Sequence, residues 1–279
     1  MARFTDQVVL VTGAARGQGR THAVRFAREG ADVVLLDLPP GAALETVPYP
    51  LPEPGDLAHT AALVEAEGRA ALACPADLRD ADRVDAAVAA ALERFGRIDV
   101  LVANAGICTF HPIAGMPTEV WREMLDVNLT GVFHAVRAVV PTMLEQGSGR
   151  IVATSSMAGR AGWENLSHYA AAKWGLIGFV KSVAAELAPH RITANVVCPS
   201  SVNTTMMHND ASYRLFRPDL PEPTREDALP AFASVNVIPV PYVETDDVSD
   251  AVLFLASDEA RYVTGATLSP SAGVNARNI

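Results

Sequence analysis

Cysteine and lysine are both scarce in this sequence of 279 residues. The three cysteines, Cys74, Cys108 and Cys198, lie far apart and form neither a CxxC pair nor a cluster with histidine. Disulfide frameworks and zinc sites both need closer spacing, so we predict reduced thiols and no metal ligand. Lysine occurs only as Lys173 and Lys181, and arginine supplies the rest of the 22 basic residues.

A basic excess, a long apolar run and a leader sequence are also missing. The formal net charge is −10, which argues against nucleic acid and anionic membranes as partners. Charges interrupt each apolar segment before the roughly 18 residues that a membrane span requires. Residues 1–6 contain no apolar core of a secretion signal. The sequence therefore indicates a cytoplasmic enzyme or binding protein.

Short apolar runs alternate with helical patterns along most of the chain. The pattern predicts strands at 8–12, 31–36, 70–73, 98–103, 151–154 and 192–197. It predicts helices at 17–29, 81–95 and 167–187, and one long helix or a pair of helices at 118–145. Near-continuous apolar strands between helices are typical of a parallel sheet covered on both faces. We therefore predict an α/β fold, a single doubly wound domain of the Rossmann type that spans residues 1–279.

Two irregular stretches interrupt this alternation. Residues 38–55 contain six of the 19 prolines, and residues 204–244 mix prolines with aromatic side chains. Long loops inside one domain are usually functional or disordered. Strand-forming sequence resumes after each stretch, so neither is expected to be a linker between domains.

A glycine-rich turn follows the first predicted strand and opens the first helix. It contains Gly13, Arg16, Gly17, Gln18 and Gly19. Glycines allow a tight turn and a close approach to a pyrophosphate, and the helix N-terminus offers free N–H groups to the anion. This placement predicts a dinucleotide site, although a glycine triplet also occurs in ordinary turns.

Asp37 ends the second predicted strand, 18 residues after Gly19. A carboxylate there accepts hydrogen bonds from adenosine ribose hydroxyls and repels a 2′-phosphate, which favours NAD over NADP. Arg16 instead favours NADP, because a basic side chain in the loop can bind a 2′-phosphate. We give Asp37 more weight because it lies at the ribose itself.

Together, the motifs resemble those of the short-chain dehydrogenase/reductase family. They are Thr-Gly-x-x-x-Gly-x-Gly at 12–19, Asn104-Ala105-Gly106, and Tyr169 and Lys173 in a Tyr-x-x-x-Lys motif, with Ser156 13 residues before the tyrosine and Asn128 upstream. They occur in the family's order over nearly the whole chain. The resemblance implies an NAD-dependent alcohol dehydrogenase or reductase with Asn128, Ser156, Tyr169 and Lys173 as catalytic residues.

The chemistry of these side chains agrees with that implication. Tyr169 and Lys173 lie four residues apart and share a helix face. Alcohol oxidation needs a base, and a nearby ammonium is expected to lower the pKa of a tyrosine toward neutrality. Ser156 is expected to hold the reacting oxygen, with Ser155 as the competitor. Asn128 is expected to bind a water in the proton relay, or alternatively to kink its helix.

The resemblance also implies a set of cofactor contacts beyond the glycine loop. They are Asp77, Leu78, Asn104, Ala105, Gly106, Tyr169, Lys173, Pro199, Val202 and Thr204. Asp77 is assigned to the adenine end, with a helix N-cap near residue 80 as its alternative role. Val202 and Thr204 are assigned to the nicotinamide carboxamide.

A narrower resemblance is to the mycofactocin-coupled, carveol-dehydrogenase-like branch. Residues 13–23, 47–51 and 208–218 carry it. It implies a tightly held, non-exchanging NAD under the 38–55 insertion and re-oxidation by an external acceptor such as mycofactocin. The wider family resemblance implies a homotetramer. A proline-stiffened loop loses less entropy on ordering, which suits such a cover.

Substrate contacts are less clear from the sequence. Apolar candidates for a substrate pocket, some of them in a 204–244 lid, are Ile107, Cys108, Met157, Trp163, Met206, Met207, Tyr213 and Phe216, and core packing is an equal alternative for each. As a group they favour a hydrophobic secondary alcohol or ketone. Two other functions remain open: a ketone reductase with freely exchanging NAD(P)H, and a non-catalytic nucleotide-binding scaffold.

Overall fold

Seven parallel strands form one sheet in the computed structural model, which describes residues 2–276. The strands are β1 (Val8–Thr12), β2 (Asp32–Asp37), β3 (Ala71–Pro75), β4 (Val100–Ala103), β5 (Gly149–Thr154), β6 (Ile192–Val197) and β7 (Thr267–Leu268). Their order is β3-β2-β1-β4-β5-β6-β7, and every pairing is parallel. The strand order reverses between β1 and β4, where sheets of this type bind ligands. Met1 and residues 277–279 of the predicted domain lie outside the described residues.

Nine α-helices accompany these strands within the described residues. They are α1 (Gly17–Arg28), α2 (Asp56–Ala66), α3 (Ala81–Phe95), α4 (Thr118–Leu125), α5 (Gly131–Gln146), α6 (Ser167–Leu187), α7 (Asp210–Phe216), α8 (Arg225–Val235) and α9 (Thr245–Ala256). Helices α1, α2 and α9 pack on one sheet face, and α3, α5 and α6 pack on the other.

Strand β1 shows why the predicted runs are continuously apolar. Val8 and Leu10 enter the core under α3, α5 and α6, whereas Val9 and Val11 enter the core under α1 and α9. Successive side chains of a strand point to opposite faces, so a sheet covered on both faces needs apolar residues at every position. The α/β fold class is confirmed.

The structure corrects several predicted boundaries. The predicted stretch at 118–145, one long helix or a pair, is two helices joined by a π-helical turn at Asp126–Thr130. Helix α2 was missed because only Thr60 and Val64 of it are buried, so its apolar residues show no clear periodic stripe. The stretch 204–244 contains α7 and α8, although its mixed composition suggested only a loop.

One helical run in the described residues is long and apolar enough to cross a membrane by length and composition alone. It is Thr118–Gln146, with a mean hydropathy of 1.2 over its best window. Its buried side chains, Val132, Val136, Val139 and Met143 among them, pack against the sheet. The run therefore belongs to the core of this domain.

Thr12 links the ends of β1 and β4. Its Oγ1 accepts hydrogen bonds from the backbone N–H groups of Asn104 and Ala105, both at 3.0 Å. The side-chain Nδ2 of Asn104 donates in return to the Thr12 carbonyl at 3.1 Å. Because Thr12 is fully buried, these bonds fix the edge at which the glycine loop and the 104–106 turn meet.

We expect Thr12→Val to lower the free energy of unfolding by about 1–3 kcal/mol, because the Ala105 N–H loses its acceptor and the Asn104 N–H keeps only the Val102 carbonyl. Chemical denaturation of both proteins measures this. Thr193→Val is a matched control, because Thr193 is a buried strand residue whose Oγ1 has no hydrogen-bond partner. An equal loss in the two variants would contradict the assigned role of the Thr12 hydroxyl.

Candidate active site

A groove runs along the carboxyl ends of β1, β2 and β4. Eleven of the predicted cofactor residues line it: Gly13, Arg16, Gly17, Gln18, Asp37, Asp77, Leu78, Asn104, Ala105, Gly106 and Thr204. Gly19 lies behind the groove and packs on the loop, because a Cβ there would stand 2.0 Å from the Gly13 carbonyl oxygen. The structure therefore brings the predicted set together.

The glycine loop leaves its backbone donors open to the groove. Gly13 and Gly17 have φ values of +67° and +54°, and a Cβ on Gly13 would come within 2.8 Å of Ala105 Cα. No side chain caps the N-terminus of α1, so its first N–H groups have no protein acceptor from a cap. This arrangement fits a pyrophosphate, which accepts hydrogen bonds and is favoured by the helix dipole.

Asp37 stands at the end of β2 and lines this groove. Its carboxylate accepts backbone hydrogen bonds from Ala15 and Leu38, each at 2.7 Å. Burial is the largest influence on its pKa and raises it, while the two N–H donors oppose the shift. The anchored carboxylate keeps free lone pairs for ribose hydroxyls.

Asp77 and Arg16 are both engaged with the protein itself. The Asp77 carboxylate forms an ion pair with Arg79 at 2.7 Å, and Asp80 caps α3 by accepting from the backbone of residues 82 and 83. Arg16 donates to the Pro50 carbonyl. The cap therefore belongs to Asp80, and the Arg16 guanidinium is held against the insertion.

The 38–55 insertion covers the groove. Leu44, Tyr49, Leu51 and Pro52 line it, although none was named as a cofactor contact from the sequence. Glu123 of α4 accepts from the backbone N–H groups of Glu45 and Thr46 at 3.1 and 2.9 Å. Arg79 donates to the Ala43 carbonyl at 3.0 Å. The insertion is thus docked by polar contacts along its length.

Helix α6 carries Lys173 into the centre of the site. Its Nζ donates to the Thr154 carbonyl at 2.9 Å, and the side chain is 3% exposed. Burial lowers the pKa of Lys173 to about 8. Ser155 Oγ donates to the Lys173 carbonyl at 2.9 Å, so Ser155 ties β5 to α6 and does not bond only locally.

Tyr169 lies one turn before Lys173, and its pKa shifts in the opposite direction. Burial is the largest influence on its pKa and raises it, and a hydrogen bond with the Ser156 side chain acts against the rise. Lys173 Nζ stands 5.7 Å from the centre of the Tyr169 ring. Desolvation therefore outweighs the Ser156 hydrogen bond, and the expected lowering of the pKa of Tyr169 by Lys173 is not found.

Asn128 is fully buried in the π-helical turn. Its Oδ1 accepts from the Ile107 N–H at 3.1 Å, and its Nδ2 donates to the Ile107 carbonyl at 3.0 Å. A Cβ on Gly106 would stand 2.6 Å from Asn128 Oδ1 and 3.3 Å from Lys173 Nζ. The π-helical turn and the glycine together bring the amide beside the lysine.

A second cavity of about 800 Å³ opens beside the catalytic side chains. Asn128, Ser156, Tyr169, Lys173, Pro199 and Val202 line its inner end. Its outer wall is mainly apolar and includes Phe110, Met157, Trp163, Leu166, Met206, Met207, Leu215 and Phe216. It shares Gln18, Asn104, Gly106, Ile107, Thr204 and Met206 with the cofactor groove. The two spaces therefore adjoin at these six residues, and the catalytic side chains line the second cavity alone.

The segment 204–244 forms the roof of this cavity. A parallel bridge between Val202 and Val243 closes its base. Within it, the Phe216 and Phe232 rings pack edge to face with centroids 4.6 Å apart. Tyr213 packs in the same aromatic cluster rather than on the cavity wall. Of the described residues, none groups with others as a metal site.

Comparisons with known proteins agree with this geometry. The sequence profile described as "short chain dehydrogenase" matches residues 7–214. The (−)-trans-carveol dehydrogenase of Rhodococcus erythropolis is 48% identical over 276 residues, which cover 98% of this chain and 99% of the relative.

Solved structures extend the agreement to the cofactor. Carveol dehydrogenase from Mycobacterium avium in complex with NAD superposes with a TM-score of 0.97 at 46% identity, covering 99% of this chain and 100% of the other. A short chain dehydrogenase from Mycobacterium paratuberculosis bound to NAD gives 0.89 at 36% identity, with coverage of 98% and 99%. The chain belongs to the short-chain dehydrogenase/reductase family and is an NAD-dependent oxidoreductase.

Proposed function

We propose that the protein interconverts a hydrophobic secondary alcohol and its ketone, with NAD retained in the groove between turnovers. The observation that carries this proposal is that the apolar cavity, which Ser156, Tyr169 and Lys173 line, adjoins the cofactor groove at Asn104, Gly106 and Ile107. An apolar wall favours a hydrophobic substrate, because burial of its surface supplies most of the binding free energy. The carveol dehydrogenase relatives support the same substrate class.

The catalytic roles follow from the placed side chains. Ser156 donates a hydrogen bond to the substrate oxygen and holds it beside Tyr169. The phenolate of Tyr169 takes the hydroxyl proton during oxidation and returns it during reduction. NAD, when bound, supplies the hydride acceptor, and its positive ring also favours the phenolate. Lys173 stabilises that phenolate electrostatically when it is protonated.

Lys173 and Asn128 prepare the site for repeated proton transfer. A lysine whose pKa is about 8 exchanges its proton near neutral pH, whereas an arginine stays protonated. Asn128 positions the 106–107 backbone beside Lys173 through its two bonds to Ile107. This geometry supports a positioning role for Asn128 and is compatible with the expected water relay.

Retention of NAD is proposed from the docked insertion. Its contacts with Arg16, Arg79 and Glu123 come from three different elements around the groove. Release of a dinucleotide from beneath it requires several of these contacts to break together. A retained cofactor then needs an external oxidant, for which the branch resemblance proposes mycofactocin.

The nucleotide released from freshly purified protein tests this proposal. We expect denaturation to release NAD or NADH in near-stoichiometric amount, identified by mass spectrometry, because the insertion slows dissociation. Extensive dialysis before denaturation is the control for weak binding. Empty protein that turns over repeatedly with soluble NAD alone would support an exchanging reductase, and bound NADP would contradict the assignment of Asp37.

Replacement of the proposed base separates chemistry from binding. We expect Tyr169→Phe to slow hydride transfer to a hydrophobic secondary alcohol by about 10²–10⁴-fold, the range for one general acid–base group. Absorbance at the nicotinamide band in single turnovers measures the step. The nucleotide content is expected to stay at the wild-type value. Retained turnover would contradict the role of Tyr169.

The proposed homotetramer has exposed apolar faces available to it. Phe133 of α5 and Trp174 of α6 are 44% and 53% exposed, and Phe133 packs against Phe179 with centroids 6.2 Å apart. Burial of such faces is a common basis of symmetric assembly. We expect sedimentation equilibrium to give four times the chain mass of 29.5 kDa. The single-chain mass would contradict this expectation.

A further inference from the structure

Tyr49 extends from the insertion to the wall of the substrate cavity. Its hydroxyl oxygen accepts a hydrogen bond from the Cys108 N–H at 3.1 Å, and its side chain is 7% exposed. Cys108 lines the substrate cavity, whereas Tyr49 lines the cofactor groove. One side chain therefore bridges the cover of the cofactor and the wall of the substrate site.

The segment that Tyr49 contacts is held one residue at a time. Asn128 binds both backbone groups of Ile107, and Tyr49 binds the N–H of Cys108. Thr109 Oγ1 then lies 2.7 Å from His168 Nε2, beside Tyr169 on α6. Two of these three partners belong to the core helices, and the third belongs to the insertion. A movement of the insertion at Tyr49 thus acts directly on the substrate wall.

Apolar packing joins the same parts. Leu44 of the insertion belongs to a small buried cluster with Ile107, Met124, Val127 and Ala172. Val47, Leu51 and Tyr169 pack against that cluster from its edge. The insertion therefore shares a core with the catalytic helix, which a cover confined to the adenosine end would not do.

The Tyr49 hydroxyl retains one unused bond. It accepts a hydrogen bond from the Cys108 N–H, and among the described residues no group accepts a hydrogen bond from the Tyr49 O–H. Burial raises the pKa of Tyr49, so the hydroxyl stays protonated and can donate. Because Tyr49 lines the groove, a ligand that occupies the groove can supply the acceptor for this hydrogen.

We propose that Tyr49 is a positioning residue that donates to an oxygen of the bound dinucleotide and, through Cys108, couples its retention to the shape of the substrate wall. This inference rests on the proposed enclosure of NAD by the insertion. It assigns the insertion a second role, because the insertion orders the 106–109 segment for the alcohol as well as covering the cofactor. Opening of the groove and loosening of the substrate wall then occur together.

Tyr49→Phe tests the coupling because it removes only the hydroxyl. We expect NAD to dissociate about fivefold faster or more, as the loss of one hydrogen bond predicts. We also expect a higher KM for the alcohol with a smaller change in kcat, because the wall and not the base is disturbed. Displacement of bound NAD by isotopically labelled NAD, followed by mass spectrometry, gives the dissociation rate without requiring turnover.

A thiol probe reports on the substrate wall independently. Iodoacetamide labelling of Cys108 in Tyr49→Phe is expected to be several-fold faster than in the wild type, with Cys74 of β3 as the internal reference. Tyr262→Phe is the matched control, because Tyr262 is 89% exposed and lines neither cavity. We expect it to leave both rates unchanged.

The outcomes distinguish this inference from the proposed function. Rapid NAD exchange in the wild type would overturn the proposed retention, and the ratio of NAD dissociation rates between Tyr49→Phe and wild type would still test Tyr49. A ratio near one would overturn the proposed bond to the dinucleotide. Faster NAD loss with unchanged Cys108 labelling and unchanged KM would overturn the coupling. A fall in the unfolding midpoint with none of the other changes would leave Tyr49 a purely structural residue and contradict the inference.

Discussion

The close approach at Gly106 is the constraint on which the rest of the site depends. A Cβ at this position would stand 2.6 Å from Asn128 Oδ1 and 3.3 Å from Lys173 Nζ, so only a bare backbone lets the two side chains lie beside the end of β4. Asn128 then fixes Ile107 from both sides. Gly106 and Ile107 are among the residues that line both the groove and the substrate cavity.

Burial of two ionisable side chains around that wall tunes the site in opposite directions. Desolvation raises the pKa of Tyr169 and lowers that of Lys173, because each shift favours the neutral form. A lysine that binds protons less tightly when folded makes folding less favourable at neutral pH. The site therefore reduces stability locally, and the surrounding apolar core offsets that loss.

The insertion encloses the groove at the carboxyl ends of β1, β2 and β4. The proline-rich insertion contains no strand or helix. Contacts with the glycine loop, α4 and the turn before α3 hold it in place. Through Leu44 and Tyr49 it also joins the small core behind Tyr169. The cofactor cover and the substrate wall are consequently built from one continuous set of contacts.

The sequence by itself determined the fold class, the family and the residues that meet at the site. Strand runs that are apolar at every position can be satisfied only by a sheet covered on both faces, and the motifs at 12–19, 104–106 and 169–173 follow from local spacing. Helices α2, α7 and α8 were not predicted, because few of their side chains are buried in a periodic stripe. Only the tertiary structure decided that Ser155 bonds the Lys173 carbonyl and that Tyr49 reaches Cys108. Those contacts join residues through space, and the balance between desolvation and charge at Tyr169 depends on the packing around it. No local pattern encodes either one.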